Sequence, residues 1–392
     1  MGGSRGWGLR AGASLAHPSW VAGRGLPARP IRHVWGGPGV SERTSVGLDV
    51  HARSVAAHGM DEVTGEVFAA SLAPGAEVHD WLGKLPGPVA VLYEAGPTGF
   101  GLARELRAAG IRCEVAAPSK LQRPAGDRVE NDARDAEHLC RLLRLGEFTP
   151  VRVPDAATES ARDLVRARED CRKDLMRSRH RLSKLLLRQQ IVYDGNAWTG
   201  AHRDWLARQR FDDPNLQTTF DEYLDQVLST LARRDRLDAR IEQLAGDSPW
   251  TPMVRRLCCL RGISTLTGFA LAVEIGDWTR FDGNSIGAYL GLVPSEHSSG
   301  RSRMTGPITR TGNAHVRRLL IEAALHHMRP YRKGKVLRDR QDLASPAARA
   351  RGDAGNRRLH ARWVGFQARK KRTTSPPSLS PANSPAGAGR SP

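Results

Sequence analysis

Long apolar runs are missing from this chain. Nowhere do eighteen consecutive apolar residues occur, so no membrane-spanning helix is expected. Cysteine is scarce too: Cys113, Cys140, Cys171, Cys258 and Cys259 form no C-x-x-C pair. That argues against a disulfide framework and a cysteine-based zinc site, and it fits a reducing cytoplasm. The N-terminus carries arginines but no continuous apolar stretch behind them, which makes a poor signal peptide. Acidic residues are thin at both ends. Residues 1–45 hold six arginines against one acidic residue, and residues 331–392 hold fifteen Lys/Arg against three. Of the net charge of +19, only +2 is left for residues 46–330, so overall basicity says little about the body of the chain.

What is present is enough for two or three domains: 392 residues, 40% of them hydrophobic. Residues 1–43 are Gly-, Arg-, Pro- and Trp-rich without apolar periodicity and read as a disordered extension. From Thr44 onward the pattern changes. Three short β-prone runs (Thr44–His51, Ser54–Met60, Gly65–Ala69) read as an antiparallel meander, followed by a helix over Glu77–Leu85. The continuous apolar run Pro88–Glu94 has the character of a strand buried on both faces. A glycine-rich turn, a helix over Phe100–Ala109 and a strand over Cys113–Ala117 follow. Strands first, then strand–helix alternation, predict an α/β domain with a mixed sheet.

Four carboxylates in this part stand out. Asp49 sits in the first strand between Leu48 and Val50, and Glu94 ends the fourth. A carboxylate there is costly unless it is paired or bound to metal. Asn131-Asp132-Ala133-Arg134-Asp135 opens a helix running to Leu145, and the three-residue spacing puts Asp132 and Asp135 on one face. The plain alternative has Asp132 capping the helix and Asp135 favoured by the helix dipole. If the first and fourth strands are neighbours, Asp49, Glu94, Asp132 and Asp135 converge as an oxygen-rich site for a hard cation such as Mg²⁺ or Mn²⁺, suited to phosphodiester chemistry.

Beyond Ser160 the pattern turns helical. Leu164, Cys171, Leu175, Leu182 and Leu185 recur close to a heptad, as do Leu224, Val227, Leu231, Leu237, Ile241 and Leu244. Two such helices predict a coiled-coil hairpin or oligomerisation arm, with a polar, Trp-containing connection around Trp198 and Trp205. Eleven Lys/Arg against six acidic residues between Arg152 and Arg188 can follow a phosphate backbone or simply face solvent. Leu257–Thr267 has the form helix, Gly turn, helix and resembles a helix-hairpin-helix, which would place Arg261 and Gly262 at a nucleic-acid phosphate. Ser298-Ser299-Gly300 lies in a glycine-flanked loop with Arg301, Arg303 and Arg310 near it in sequence. Ser299 is therefore a candidate nucleophile beside phosphate-binding cations, against the plain reading of a flexible Ser/Gly turn. After Pro330 the chain is basic and irregular, and after Thr373 it is Ser/Pro/Ala low complexity.

Taken in order, Gly47-Leu48-Asp49-Val50-His51, Tyr93-Glu94-Ala95-Gly96-Pro97-Thr98-Gly99, Gly126-Asp127-Arg128 with Asp132-Ala133-Arg134-Asp135-Ala136, Leu260-Arg261-Gly262-Ile263, Glu274-Ile275-Gly276-Asp277, Gly291-Leu292-Val293-Pro294, Ser298-Ser299-Gly300 and Gly312-Asn313 resemble the IS one-ten group of insertion-sequence transposases. That group is also described as bridge-RNA-guided recombinases, and the likeness runs from about residue 44 to 330. The resemblance implies a RuvC-like (RNase H-fold) DEDD domain over 44–152, with Asp49, Glu94, Asp132 and Asp135 as the metal-binding tetrad. It implies a coiled-coil region over 153–248 and a mostly helical C-terminal transposase domain over 249–330, with 331–392 left as a basic, largely disordered tail. The resemblance also supplies a covalent phosphoserine intermediate on Ser299 (Ser298 as the fallback) and an element-encoded guide RNA. It further implies DNA as substrate, a homo-oligomer (dimer or tetramer) and a cytoplasmic location. Glu130 stands where the family usually has lysine. Two other readings compete: a decayed copy that only binds nucleic acid, and a sugar- or acetate-kinase-like phosphotransferase. The latter also starts with a Gly-x-Asp strand but needs a second Gly-rich phosphate loop that is missing here.

Overall fold

The computed structural model describes residues 42–121, 131–283, 285–299 and 302–369, with only the backbone described for His297, Ser298, Ser299, Ser302 and Arg303. Most of the expected N-terminal extension, the Gly126-Asp127-Arg128 motif, Glu130, Gly300, Arg301 and the Ser/Pro end of the tail lie outside the described residues. Two compact units divide at Val153/Pro154.

The first unit is built on a five-stranded sheet. Its strands are β1 (Thr44–Val50), β2 (Val55–Asp61), β3 (Val67–Leu72), β4 (Val89–Glu94) and β5 (Arg112–Ala116), with helix α1 (Ala76–Gly83) before β4 and α2 (Gly101–Ala108) after it. The spatial order is β3-β2-β1-β4-β5. The meander pairs antiparallel, whereas β1–β4 and β4–β5 are parallel, giving the expected mixed sheet. The apolar run of β4 follows from its central place. Val91 and Tyr93 pack with Val46, Leu48, Val78, Leu82, Ala103 and Leu106 on the face covered by α1 and α2. Ala90 and Leu92 face the other way, onto Leu139, Leu142 and Leu143 of α3 (Asp132–Leu145). Each such fully buried Leu or Val stabilises the unit by roughly 1.5–3 kcal/mol.

Gly47 decides how closely α3 sits on β1. A Cβ there would lie 2.0 Å from the Ala136 carbonyl oxygen and 2.3 Å from the Cys140 nitrogen. Only glycine admits the helix backbone at that distance. The Cys140 thiol donates to the Ser45 carbonyl at 3.1 Å and ties helix to strand. The capping expectation is corrected by one residue: Asn131 caps α3, its side chain accepting from the Ala133 N–H at 3.0 Å. Asp132 is thereby the first helical residue, with its carboxylate not engaged as a cap.

The second unit is dominated by two 33-residue helices, α4 (Ala156–Arg188) and α6 (Pro214–Gly246), capped by Asp155 and Asp213. They run antiparallel: the Cys171 thiol bonds the Thr230 carbonyl, and Arg168 forms a two-pronged ion pair with Asp238 at 2.6 and 3.1 Å. Leu175, Leu182, Leu185 and Leu186 pack with Phe220 and Val227. The connection expected to be polar folds as α5 (Gly200–Ala207), which inserts Leu206 into that same cluster. After α7 (Thr251–Cys258), helix α8 (Thr265–Ile275) is buried from Gly268 to Ile275, a run apolar all round except for Glu274.

A short helix α9 (Ser285–Tyr289) leads to the segment expected as a glycine-flanked loop. It is instead a hairpin of β6 (Pro294–Ser299) and β7 (Ser302–Ile308). Asn313 then caps α10 (Ala314–Leu325). The stretch beyond Pro330, expected to be largely irregular, carries α11 (Lys335–Asp342) and α12 (Pro346–Ala368). The buried face of α12 includes Ala348, Gly352 and Asn356 as well as Leu359 and Trp363, so small and polar residues blunt the apolar period. A Cβ on Gly352 would lie 2.5 Å from that of Cys259, and Asn356 donates to the Cys259 carbonyl at 3.1 Å.

Candidate active site

Parallel pairing of β1 with β4 aligns Leu48 with Tyr93, so Asp49 and Glu94 follow at the next position of neighbouring strands. Alternation along a strand puts Asp49 on the face of Gly47 and Glu94 on the face of Leu92. Both faces are the one α3 covers. The first turn of α3 brings Asp132 and Asp135 to this strand end. Their negative charges act on Asp49, whose pKa is raised chiefly by burial and further by Asp132 and Asp135, against the opposing effect of His51. Glu94 is half-buried and engaged in an interaction of its own.

The tightest cluster includes a residue absent from the expected tetrad. His51, just past β1, turns its ring back so that Nε2 lies 3.1 Å from Asp49 Oδ2 and 3.7 Å from Asp132 Oδ1. The three ligand atoms fall within 4.8 Å of one another and could hold a metal ion. Two carboxylate oxygens and an imidazole nitrogen are a donor set that suits a divalent cation. His51 belongs to the Gly47–His51 motif. An imidazole two residues beyond a strand-ending aspartate was its only sequence signal.

In the second unit the α7–α8 turn has the helix–turn–helix form, with Gly262 at φ 85°. Its donors, however, are engaged inside the fold. The Arg261 N–H goes to Asn356 Oδ1 at 2.9 Å, and its guanidinium donates to the Arg329 and Pro330 carbonyls at 3.0 and 2.9 Å. A Cβ on Gly262 would lie 2.5 Å from the Ala323 carbonyl oxygen, so this glycine serves close packing on α10. Ser299 pairs with Ser302 at the end of the β6–β7 hairpin, and Ser298 with Arg303. Arg310 is exposed, in the left-handed region at φ 57°.

The motifs in these two units match known proteins. Residues 46–190 match a DEDD transposase family model of the IS110 type, and residues 254–337 match the model described as transposase IS116/IS110/IS902 family. A Sinorhizobium fredii protein named as a transposase, y4qE, is 38% identical over 284 residues, covering 72% of this chain and 70% of that protein. The transposase for insertion sequence element IS1533 of Leptospira borgpetersenii is 28% identical over 343 residues, covering 85% of this chain and 99% of its own length. The transposase for insertion sequence element IS1328 of Yersinia enterocolitica is 23% identical over 303 residues, covering 75% and 87%. With an acidic cluster at the β1–β4 strand ends and family motifs in both units, the chain belongs to the IS116/IS110/IS902 family of transposases.

Proposed function

We propose that this transposase cuts and rejoins DNA with two sets of groups, the carboxylates Asp49, Glu94, Asp132 and Asp135 and the hydroxyl of Ser299, with Ser298 as the fallback. The observation that carries the first half is the meeting of Asp49, His51 and Asp132 at the strand ends under α3. A bound Mg²⁺ or Mn²⁺ would supply Lewis-acid stabilisation of charge developing on phosphate oxygens. The carboxylates hold the cation. The half-buried Asp49 also shares a hydrogen bond with His51, which opposes the effect of its acidic neighbours.

The second half concerns the β6–β7 hairpin. Ser299 Oγ attacks a backbone phosphorus and forms an Oγ–P bond as the P–O bond to one deoxyribose breaks. The serine proton is released and the departing hydroxyl takes one up, so that the phosphodiester energy is kept for rejoining. Arg301, Arg303 and Arg310 offer cationic partners for the phosphate, a role the guanidinium fork suits. The long α4–α6 hairpin serves as a coiled-coil arm for assembling a homo-oligomer. An element-encoded RNA selects the DNA by base pairing.

The test places the gene with its native flanking DNA on a plasmid and assays the excised circular junction by PCR. The expected result is a junction with wild type and none with Asp49→Ala or Ser299→Ala, all proteins being equally soluble. A junction at the wild-type level with Asp49→Ala overturns the metal site. One with both Ser299→Ala and Ser298→Ala, each tested singly, overturns the serine nucleophile. No junction with soluble wild type points to a copy that binds nucleic acid without cutting it.

A further inference from the structure

We propose that His51 is a nitrogen ligand of the divalent cation and biases the site toward Mn²⁺ over Mg²⁺; this rests on the reading of Asp49 and Asp132 as metal-holding groups. The geometry begins with chain direction. β1 ends at Val50, and the chain turns at once toward β2, which starts at Val55. His51 sits at that turn, its backbone N–H held by the Ser54 carbonyl at 2.9 Å. Its ring therefore projects over the strand end where Asp49 lies, beneath the first turn of α3.

Two distances make the arrangement more than an ion pair between neighbours. Nε2 is 3.1 Å from one carboxylate and 3.7 Å from the other, and these carboxylates come from residues 83 positions apart, Asp49 and Asp132. Donors bound to one small cation at about 2.1 Å stand ~3.0 Å apart when they subtend a right angle and ~3.6 Å at 120°. Both separations thus match donors sharing one ion, and the ring nitrogen already lies within 3.7 Å of both carboxylates. His51 and Asp132 are solvent-accessible, with side chains 53% and 63% exposed, so an ion reaches them without opening the fold.

The consequence for selectivity follows from donor chemistry. Mg²⁺ prefers oxygen donors in near-ideal octahedral geometry and gives up water reluctantly. Imidazole is a ligand of first-row transition ions, a series in which Mn²⁺ is the weakest binder and to which Mg²⁺ does not belong. A site of carboxylates alone would leave the two ions close in preference. Adding His51 separates them.

Full-length wild type, His51→Ala, His51→Gln and Asp49→Asn are compared after circular dichroism shows equal folding. Each is titrated calorimetrically with MnCl₂ and with MgCl₂, and the Mn²⁺ complexes are examined by electron spin-echo envelope modulation for coupling to ¹⁴N. Wild type is expected to show nitrogen coupling that both His51 variants lose. Mn²⁺ affinity should fall about tenfold or more in those variants, at the scale seen when metal-site partners are removed, while Mg²⁺ affinity falls much less. Absence of nitrogen coupling in wild type, its persistence in both His51 variants, or an unchanged Mn²⁺/Mg²⁺ ratio overturns the assignment of His51 and leaves the carboxylate site standing. If wild type binds neither ion more tightly than Asp49→Asn does, the metal site itself is wrong.

Discussion

Glu274, which opens the family motif Glu274-Ile275-Gly276-Asp277, is a buried carboxylate whose neighbours keep it charged. Burial alone would raise its pKa, but His315, Arg166 and Asn313 bring it down to about 2. Arg166 grips both oxygens at 3.0 and 3.1 Å, and Asn313 donates to Oε2 at 2.8 Å while its own carbonyl caps α10. One residue of α8 thereby positions the start of the helix that follows the β6–β7 hairpin. Because the folded pKa lies below the ordinary 4.5, the stabilisation is complete above that value and is lost as pH falls toward 2. Glu274→Gln is expected to cost about 3 kcal/mol at pH 7, since the buried carboxylate, held at about 2 instead of 4.5, gives up its charge-assisted bonds to His315 and Arg166. In urea unfolding series, the gap between wild type and variant should narrow steadily as pH drops from 5 to 3. A gap that stays constant would show that shape rather than charge is what Glu274 supplies. The glutamate was legible in the sequence as part of a motif. Its partners were not, because Arg166 and Asn313 lie 108 and 39 positions away.

At the scale of elements, the contact that sets the acidic cluster is α3 on β1. Asp132 and Asp135 reach Asp49 only because the helix backbone lies against Gly47. Gly47→Ala is expected to destabilise the first unit by about 3 kcal/mol, the upper part of the overpacking range, since both clashing atoms belong to backbone that cannot rotate away. Gly83→Ala, where an added Cβ meets nothing within 4 Å, should be neutral or slightly stabilising. Equal urea midpoints for the two variants would refute the close-approach account. The course of α3 itself was plain from Asn131 to Leu145, because a capping residue, periodic apolar positions and Gly146 at the end are local signals. The opposite holds for α12. Its docking face uses Gly352 and Asn356 against Cys259, and a helix seated by small and polar residues carries too weak a hydrophobic period to be recognised before its partner is known.

At the scale of the whole chain, each unit carries its own hydrophobic core, the first around Val46, Leu48, Val91 and Tyr93, the second around Phe269, Leu271, Val273 and Trp278. Fragments 42–153 and 154–369 are therefore expected to fold separately. Each should unfold in a single cooperative thermal transition, the first with a mixed and the second with a strongly helical circular dichroism spectrum. A non-cooperative melt in either would show that its core is incomplete alone. No helix among the described residues is long and apolar enough to cross a membrane. The residues of β4 were enough to demand burial on both faces, and Asp49, Glu94 and the Asp132/Asp135 pair stood out as carboxylates needing a partner. Those conclusions depend on residues a few positions apart. What only the tertiary structure decided is which strand lies beside which, that α3 crosses at Gly47, and that His51 comes within reach of both Asp49 and Asp132. Each of these depends on pairings such as Thr44 with Val89 and Gly47 with Ala136, contacts between distant parts of the chain that no local pattern encodes.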